Sequence, residues 1–211
     1  MKMNLIKLVG LLGLLTGAVF SSTASAQFYL GAGAGESHIS GADGSTVVAG
    51  VPATGTGGNK WQGMWKLYGG YQFTPNWGVE GQYSDLGRRT YNVQLGAPIN
   101  LGGSAKFKTD EWGLAATGTL PLSNGFSLLG KLGATRNHVG GGNLTIAGIP
   151  FATGGSNKTS LLAGIGAGYD INKNFGVRLE YENYGKISSN GFLGNSSVKA
   201  DSVSISLKYS F

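Results

Sequence analysis

The stretch DSVSISLKYSF, residues 201–211, sets Val203, Ile205, Leu207, Tyr209 and Phe211 on one parity and Ser202, Ser204, Ser206, Lys208 and Ser210 on the other. Successive side chains of a β-strand point to opposite faces, so the run predicts a strand with one oily and one wet face. A soluble sheet uses the same alternation. Composition has to separate the two cases.

The chain has 211 residues, one domain's worth. It opens on MKMNLIKLVGLLGLLTGAVFSSTASA, with Lys2 and Lys7 as a positive start, an apolar stretch from Leu8 to Phe20, and Ala24-Ser25-Ala26 as a small-residue cleavage site. That three-part pattern is a secretory signal peptide, expected to span 1–26, with a barrel domain over 27–211. As a membrane anchor the apolar stretch falls short of the ~20 residues a spanning helix needs. Of the 16 basic groups two lie in this leader, leaving 14 against 10 acidic ones. Cysteine is absent, which excludes disulfides and cysteine-held metal in an exported chain. Glycine is abundant at 39 residues and proline scarce at 5. No window after residue 26 is apolar enough for a spanning helix, so membrane entry has to be as a closed barrel.

An internal repeat supports that reading. Phe28, Trp77, Phe126 and Phe175 recur at a spacing of 49 residues, followed two positions on by Leu30, Val79, Leu128 and Val177. Each of the first three units closes on a turn triplet: Thr74-Pro75-Asn76, Ser123-Asn124-Gly125 and Asn172-Lys173-Asn174. Within units the connections are longer and Gly-rich, and three are related: AGVPATGTGGNK (49–60), LGAPINLGGSAK (95–106) and AGIPFATGGSNK (147–158). A propeller blade needs four strands per repeat, whereas each unit here supplies two. The expected fold is all-β: an eight-stranded antiparallel up-and-down transmembrane β-barrel with four long outer loops and three short periplasmic turns. Phe28, Phe73, Trp77, Phe126, Tyr169, Phe175, Tyr209 and Phe211 form one interfacial girdle in this scheme, and Trp65, Tyr83, Trp112 and Tyr181 the other.

YGGYQFTPNWGVEGQYSDLGR (68–88), LLAGIGAGYDINKNFGVRLEYENYG (161–185) and SVSISLKYSF (202–211) resemble the transmembrane domain of the OmpA family. The resemblance covers nearly all of 27–211, least well in the loops. It implies an outer-membrane location in a Gram-negative cell envelope and a role in envelope integrity. It also implies that Ile205, Leu207, Tyr209 and Phe211 form a tag read by the barrel insertion machinery. Many members carry a peptidoglycan-gripping domain after the barrel; no such segment follows Phe211, and that tether is not carried over.

Eight strands leave an interior just wide enough for side chains to fill. The inward parity collects Lys66, Lys131, Arg178 and Lys208 against Glu80, Asp170, Glu180 and Glu182, with Glu80 matching Arg178 and Lys131 matching Glu180 in the repeat. Paired, these charges make a polar plug; exchange of partners would instead make a narrow, low-conductance pore. Arg88, Arg89, Lys106, Lys108, Arg136 and Lys158 are expected on a basic outer rim, with Glu111 among the acidic residues there, facing lipopolysaccharide phosphates. GGSNKT (154–159) lacks the Gly directly before Lys of a phosphate loop, and GAGAG (31–35) lacks the helix of a dinucleotide site. Glu36, His38 and Ser40 share the outward parity and are the one cluster suited to a lipid A-modifying enzyme. The strand is expected to give way to loop after Gly35, and three residues on one strand do not converge on a reacting atom. The reading is therefore a non-enzymatic monomer without cofactor, metal or nucleic-acid partner. It meets outer-membrane lipid and lipopolysaccharide, and its loops are free for an extracellular ligand.

Overall fold

The structure, a computed structural model, describes residues 27–41, 44–48, 51–98, 100–140, 143–146, 149–152, 155–188 and 198–211. The expected leader and most of the fourth outer loop lie outside the described residues. Among the described residues twelve strands succeed one another in chain order: β1 (Gln27–Ser40), β2 (Gly44–Val48), β3 (Val51–Gly57), β4 (Trp61–Gln72), β5 (Trp77–Leu95), β6 (Gly102–Pro121), β7 (Phe126–Gly140), β8 (Asn143–Ile146), β9 (Ile149–Ala152), β10 (Ser156–Asp170), β11 (Phe175–Ser188) and β12 (Val198–Ser210).

Eight of them close a ring in the order β5-β4-β1-β12-β11-β10-β7-β6, with the β5–β6 ladder sealing it. Every contact is antiparallel. The first and last strands pair from Tyr29↔Ser210 to Ser40↔Lys199. Closure leaves no sheet edge in the hydrocarbon, the condition a strand protein must meet there. The turn triplets of the repeat lie between β4 and β5, β6 and β7, and β10 and β11. In the first, the Thr74 hydroxyl accepts the Trp77 N–H at 2.9 Å; in the third, the Asn172 side-chain oxygen accepts the Phe175 N–H at 2.8 Å.

The alternation read from residues 201–211 holds around the wall. Ile165 is 69% exposed and Trp112 66%, whereas Lys66, Glu182 and Ser202 are fully buried. Trp65, Tyr83 and Trp112 stand side by side on β4, β5 and β6, with ring centroids 5.5 and 4.8 Å apart. At the turn end the pairs are Phe28–Tyr71, Phe126–Tyr169 and Phe175–Tyr209, at 4.6–5.1 Å. From Trp65 on β4 to Phe73 just past its end, at about 3.3 Å per residue and about 40° of tilt, the girdles stand roughly 20 Å apart, close to a barrel's apolar band.

Two expectations change. β1 does not dissolve after Gly35. It stays paired on both sides, through His38↔Trp61 and Ser40↔Lys199, because Ser37 and Ile39 still face a packed interior. The second outer connection is not a long loop either: β5 and β6 continue as a paired ribbon up to Gln94↔Gly102. Tyr91 and Val93 are buried there, so the strand pattern persists beyond the barrel. The first and third connections also fold back as hairpins. β3 adds to β5 and β8 adds to β6, giving an outer sheet in the order β2-β3-β5-β6-β8-β9.

Candidate functional site: the lumen and the outer rim

The interior is layered. Just above the turn end, Lys208 Nζ lies 3.1 Å from Asp170. Beside this pair a vestibule of about 450 Å³ opens downward, lined by Gln27, Gln72, Ser127, Asp170, Arg178 and Lys208 among others. Arg178 forms its ceiling, with the guanidinium over the rings of Tyr29 and Tyr68 at 4.8 and 5.2 Å. Tyr68 reaches this place because Gly31 lies opposite; a Cβ on Gly31 would run into the Tyr68 ring. Gly31 and Gly33 of GAGAG thus make room for the lumen side chains Tyr68 and Ser206, and Gly35 for the backbone of β12.

Above the vestibule, three cations and three carboxylates interlock. Arg178 Nη1 meets Glu80 Oε2 at 2.8 Å. Lys131 Nζ meets Glu80 at 2.6 Å, Glu180 at 2.9 Å and Glu182 at 3.0 Å. Lys66 Nζ meets Glu180 at 2.6 Å and Glu182 at 2.9 Å. The Tyr29 and Tyr184 hydroxyls donate to Glu80 and Glu182 at 3.0 and 3.2 Å. Both pairs of repeat-equivalent residues, Glu80 with Arg178 and Lys131 with Glu180, are in contact. Six of the eight expected lumen charges therefore form one cluster, while Asp170 and Lys208 stand apart at the mouth.

Two residues assigned to the rim belong inside. Glu111 is fully buried; it accepts Gln82 Nε2 at 2.8 Å and the Ser84 hydroxyl at 2.7 Å on one oxygen, and the Thr135 hydroxyl on the other. Arg89 is 2% exposed, donates to the Ile39 carbonyl and lies 4.8 Å from the Tyr91 ring. For Arg89 the cause is an irregularity in the β5–β6 ladder between Asp85 and Arg88, which changes the facing of the residues beyond it. For Glu111 no bulge is needed. It lies two residues from Gly113 on the inward parity of β6, and the sequence alone does not show how far the wall extends.

Above Glu111 the interior turns apolar. Ile39, Met64, Leu86, Leu162, Tyr184, Ile187, Val198 and Ala200 form a buried cluster, backed by Phe107 and Val139. Sequence reasoning missed this tier. Its signal was Leu86 and Leu162, apolar residues on the inward parity of β5 and β10; Ile187 faces inward only because the β11–β12 register shifts after Asn183.

Of the remaining rim residues, Arg88, Lys106 and Arg136 are exposed, and Lys158 is half-buried. Lys108 Nζ pairs with Asp85 at 2.8 Å. That hydrogen bond raises the Lys108 pKa above the ordinary lysine value. His38 Nδ1 lies 3.3 Å from Asp201 and its ring 4.9 Å from Trp61. Ser40 lies further along β1, opposite Lys199. Ile205, Leu207, Tyr209 and Phe211 all point outward, with the last two rings 5.1 Å apart.

The profile of the family described as "Outer membrane protein beta-barrel domain" matches residues 8–211. The chain belongs to that family. Among solved structures, this family barrel is similar to the outer membrane protein OprG from Pseudomonas aeruginosa, with 15% identity, 88% of this chain and 96% of that chain covered, and a TM-score of 0.56. It is also similar to Neisserial surface protein A, with 16% identity, 87% and 97% covered, and a TM-score of 0.53. At these identities the likeness establishes the fold, an outer-membrane barrel. No curated protein sequence matches the chain.

Proposed function

We propose that this outer-membrane barrel is a sealed anchor that displays a β-sheet at the surface of a Gram-negative cell and contributes to envelope integrity. One observation carries the reading: the lumen is filled by an ionic tier and an apolar tier, while β5 and β6 run on past the membrane to support the outer sheet. Investment in both tiers suits a plug and a platform. In this reading residues 1–26 are a cleaved export signal and the barrel works as a monomer without catalysis. Ile205, Leu207, Tyr209 and Phe211 engage the insertion machinery.

The basic rim supports a lipopolysaccharide contact. Arg136 is paired with Trp112 of the girdle, and Arg88 and Lys106 follow further out on β5 and β6; the two guanidinium groups suit bidentate contact with headgroup phosphates and Lys106 adds a point charge above them. The test is complementation. Cells lacking the protein should admit more of a hydrophobic dye, and the wild-type chain should restore the barrier. An Arg88→Ala/Lys106→Ala/Arg136→Ala chain, present at equal surface level, should restore it only in part. Full restoration by that variant refutes the rim's role, and an unchanged barrier in cells lacking the protein refutes the integrity reading.

A second reading, a low-conductance pore, is favoured by the vestibule, which brings water up to Arg178. Planar-bilayer recording separates the two. Current steps that change with Glu80→Ala or Arg178→Ala support the pore, and a silent bilayer supports the sealed anchor.

A further inference from the structure

Six of the eight seams in the barrel wall stay paired to the outer ends of their strands, and two do not. The β4–β5 ladder stops at Trp65↔Asp85, and the β10–β11 ladder stops at Ala163↔Asn183. Among the described residues no pair continues either ladder, although all four strands run on. The two stops are 98 residues apart in both members, twice the repeat. Their surroundings repeat as well. Gly87 and Gly185 have φ of +88° and +64°, and their N–H groups donate to Asp85 and Asn183, each at 2.9 Å. A Cβ on Gly87 would lie 2.9 Å from that of Gln62, and one on Gly185 3.1 Å from that of Ser160, again positions 98 apart. Between each pair of turn residues stands a side chain at 0% exposure: Leu86 in one, Tyr184 in the other.

In the ring order, β5 and β11 are four strands apart in either direction, so the two bulges face each other across the lumen. Above the girdle the wall is therefore two four-stranded sheets: β11-β12-β1-β4, and β5-β6-β7-β10. Their inner faces carry the apolar tier. Ile39, Met64, Tyr184, Ile187, Val198 and Ala200 come from one sheet, and Leu86, Tyr91 and Leu162 from the other. This is the construction of a β-sandwich, whose sheets cohere through side chains. The strands stay side by side there without a ladder, and side-chain bonds join the two halves: Ser37 hydroxyl to the Leu86 carbonyl, Asn137 Nδ2 to the Tyr184 carbonyl, Ser160 hydroxyl to the Lys186 carbonyl. The break begins at the girdle, where backbone groups no longer face hydrocarbon and water can satisfy them.

We propose that the outer third of the protein is a two-sheet clamp hinged on the intact lower barrel, with Leu86 and Tyr184 as its latch. The whole outer sheet, β2-β3-β5-β6-β8-β9, is attached to the β5–β6 side, so opening the clamp swings that sheet against the β11-β12-β1-β4 wall. The two seams open together, because each half stays paired beyond its bulge, β5 to β6 from Arg88↔Lys108 onward and β11 to β12 at Lys186↔Lys199. The device does not depend on what the outer sheet binds.

The test is amide hydrogen exchange on the full chain refolded in phosphocholine micelles, with heat-dependent gel mobility to show a closed lower barrel. Leu86→Ala removes the latch on one wall. The expected result is at least about tenfold faster exchange at residues 160–162 and 185–187, the two sides of the opposite seam, as well as at 86–90, with residues 176–182 unchanged. Acceleration confined to 86–90 overturns the clamp and leaves two independent bulges. Should Leu86→Ala not refold, Ser37→Ala, which removes one bond across the gap, takes its place with the same two outcomes. The chain has no cysteine, so a Gln62→Cys/Gly87→Cys bridge gives the converse. Oxidation should slow exchange at 185–187, and an unchanged rate there also overturns the proposal.

Discussion

Lys131 is the centre of the ionic tier, and Lys131→Met tests how that tier is held. Its ammonium touches three carboxylates within 3.0 Å, in a site where the lysine side chain is 4% exposed. Removing it leaves Glu80, Glu180 and Glu182 facing only Lys66 and Arg178. Glu80 keeps Arg178 and the Tyr29 hydroxyl; Glu182 keeps Lys66 and the Tyr184 hydroxyl; Glu180 keeps Lys66 alone. Breaking a buried pair on one side costs about 3–5 kcal/mol, and the surviving partners place this case near the lower end, about 3 kcal/mol. That is a loss of roughly 150-fold in the folding equilibrium, at about 1.4 kcal/mol per factor of ten. Urea unfolding in lipid vesicles, followed by tryptophan fluorescence, measures it. The second arm is Glu180→Gln in the Lys131→Met background, which restores charge balance and should recover at least about 1.5 kcal/mol in a double-mutant cycle. A single-variant cost under about 1 kcal/mol, or a double variant weaker than Lys131→Met, would show that the tier is not held by charge compensation.

Three other outcomes are expected from the wall and rim. Ile165→Arg, midway between the girdles on the lipid face, should cost about 2–4 kcal/mol in bilayer unfolding; a cost near zero would mean that this face does not meet hydrocarbon. Phe211→Ser should slow acquisition of the heat-modifiable folded form in cells while leaving refolding in detergent nearly unchanged, and equal slowing in both would remove the tag reading. Asp85 holds the Lys108 proton more tightly in the folded state than in the unfolded one, so the pair's contribution is complete below the ordinary lysine pKa and is lost as pH rises through the higher folded value. With Lys108 42% exposed the contribution is only a few tenths of a kcal/mol. The stability gap between wild type and Asp85→Asn should therefore close at strongly alkaline pH, and a gap that widens there would refute the pairing.

The sequence by itself determined strand parity, the repeat, the turn positions and the closed wall, because each arises from a local period of two under one global demand, that no backbone group meet hydrocarbon unpaired. It also determined that Glu80, Lys131, Arg178 and Glu180 face inward, since parity fixes facing inside any uninterrupted strand. Only the tertiary structure decided which charge meets which, because partners on strands far apart in sequence meet only once closure sets the stagger. It alone moved Arg89 indoors, where a bulge resets the facing of the residues after it. The apolar tier was likewise hidden: Leu86 and Tyr184 join one buried cluster only when β5 and β11 stand opposite each other across the lumen. Where the wall leaves hydrocarbon, ladder bonds can be exchanged for water and side-chain bonds, and the local period no longer dictates the architecture.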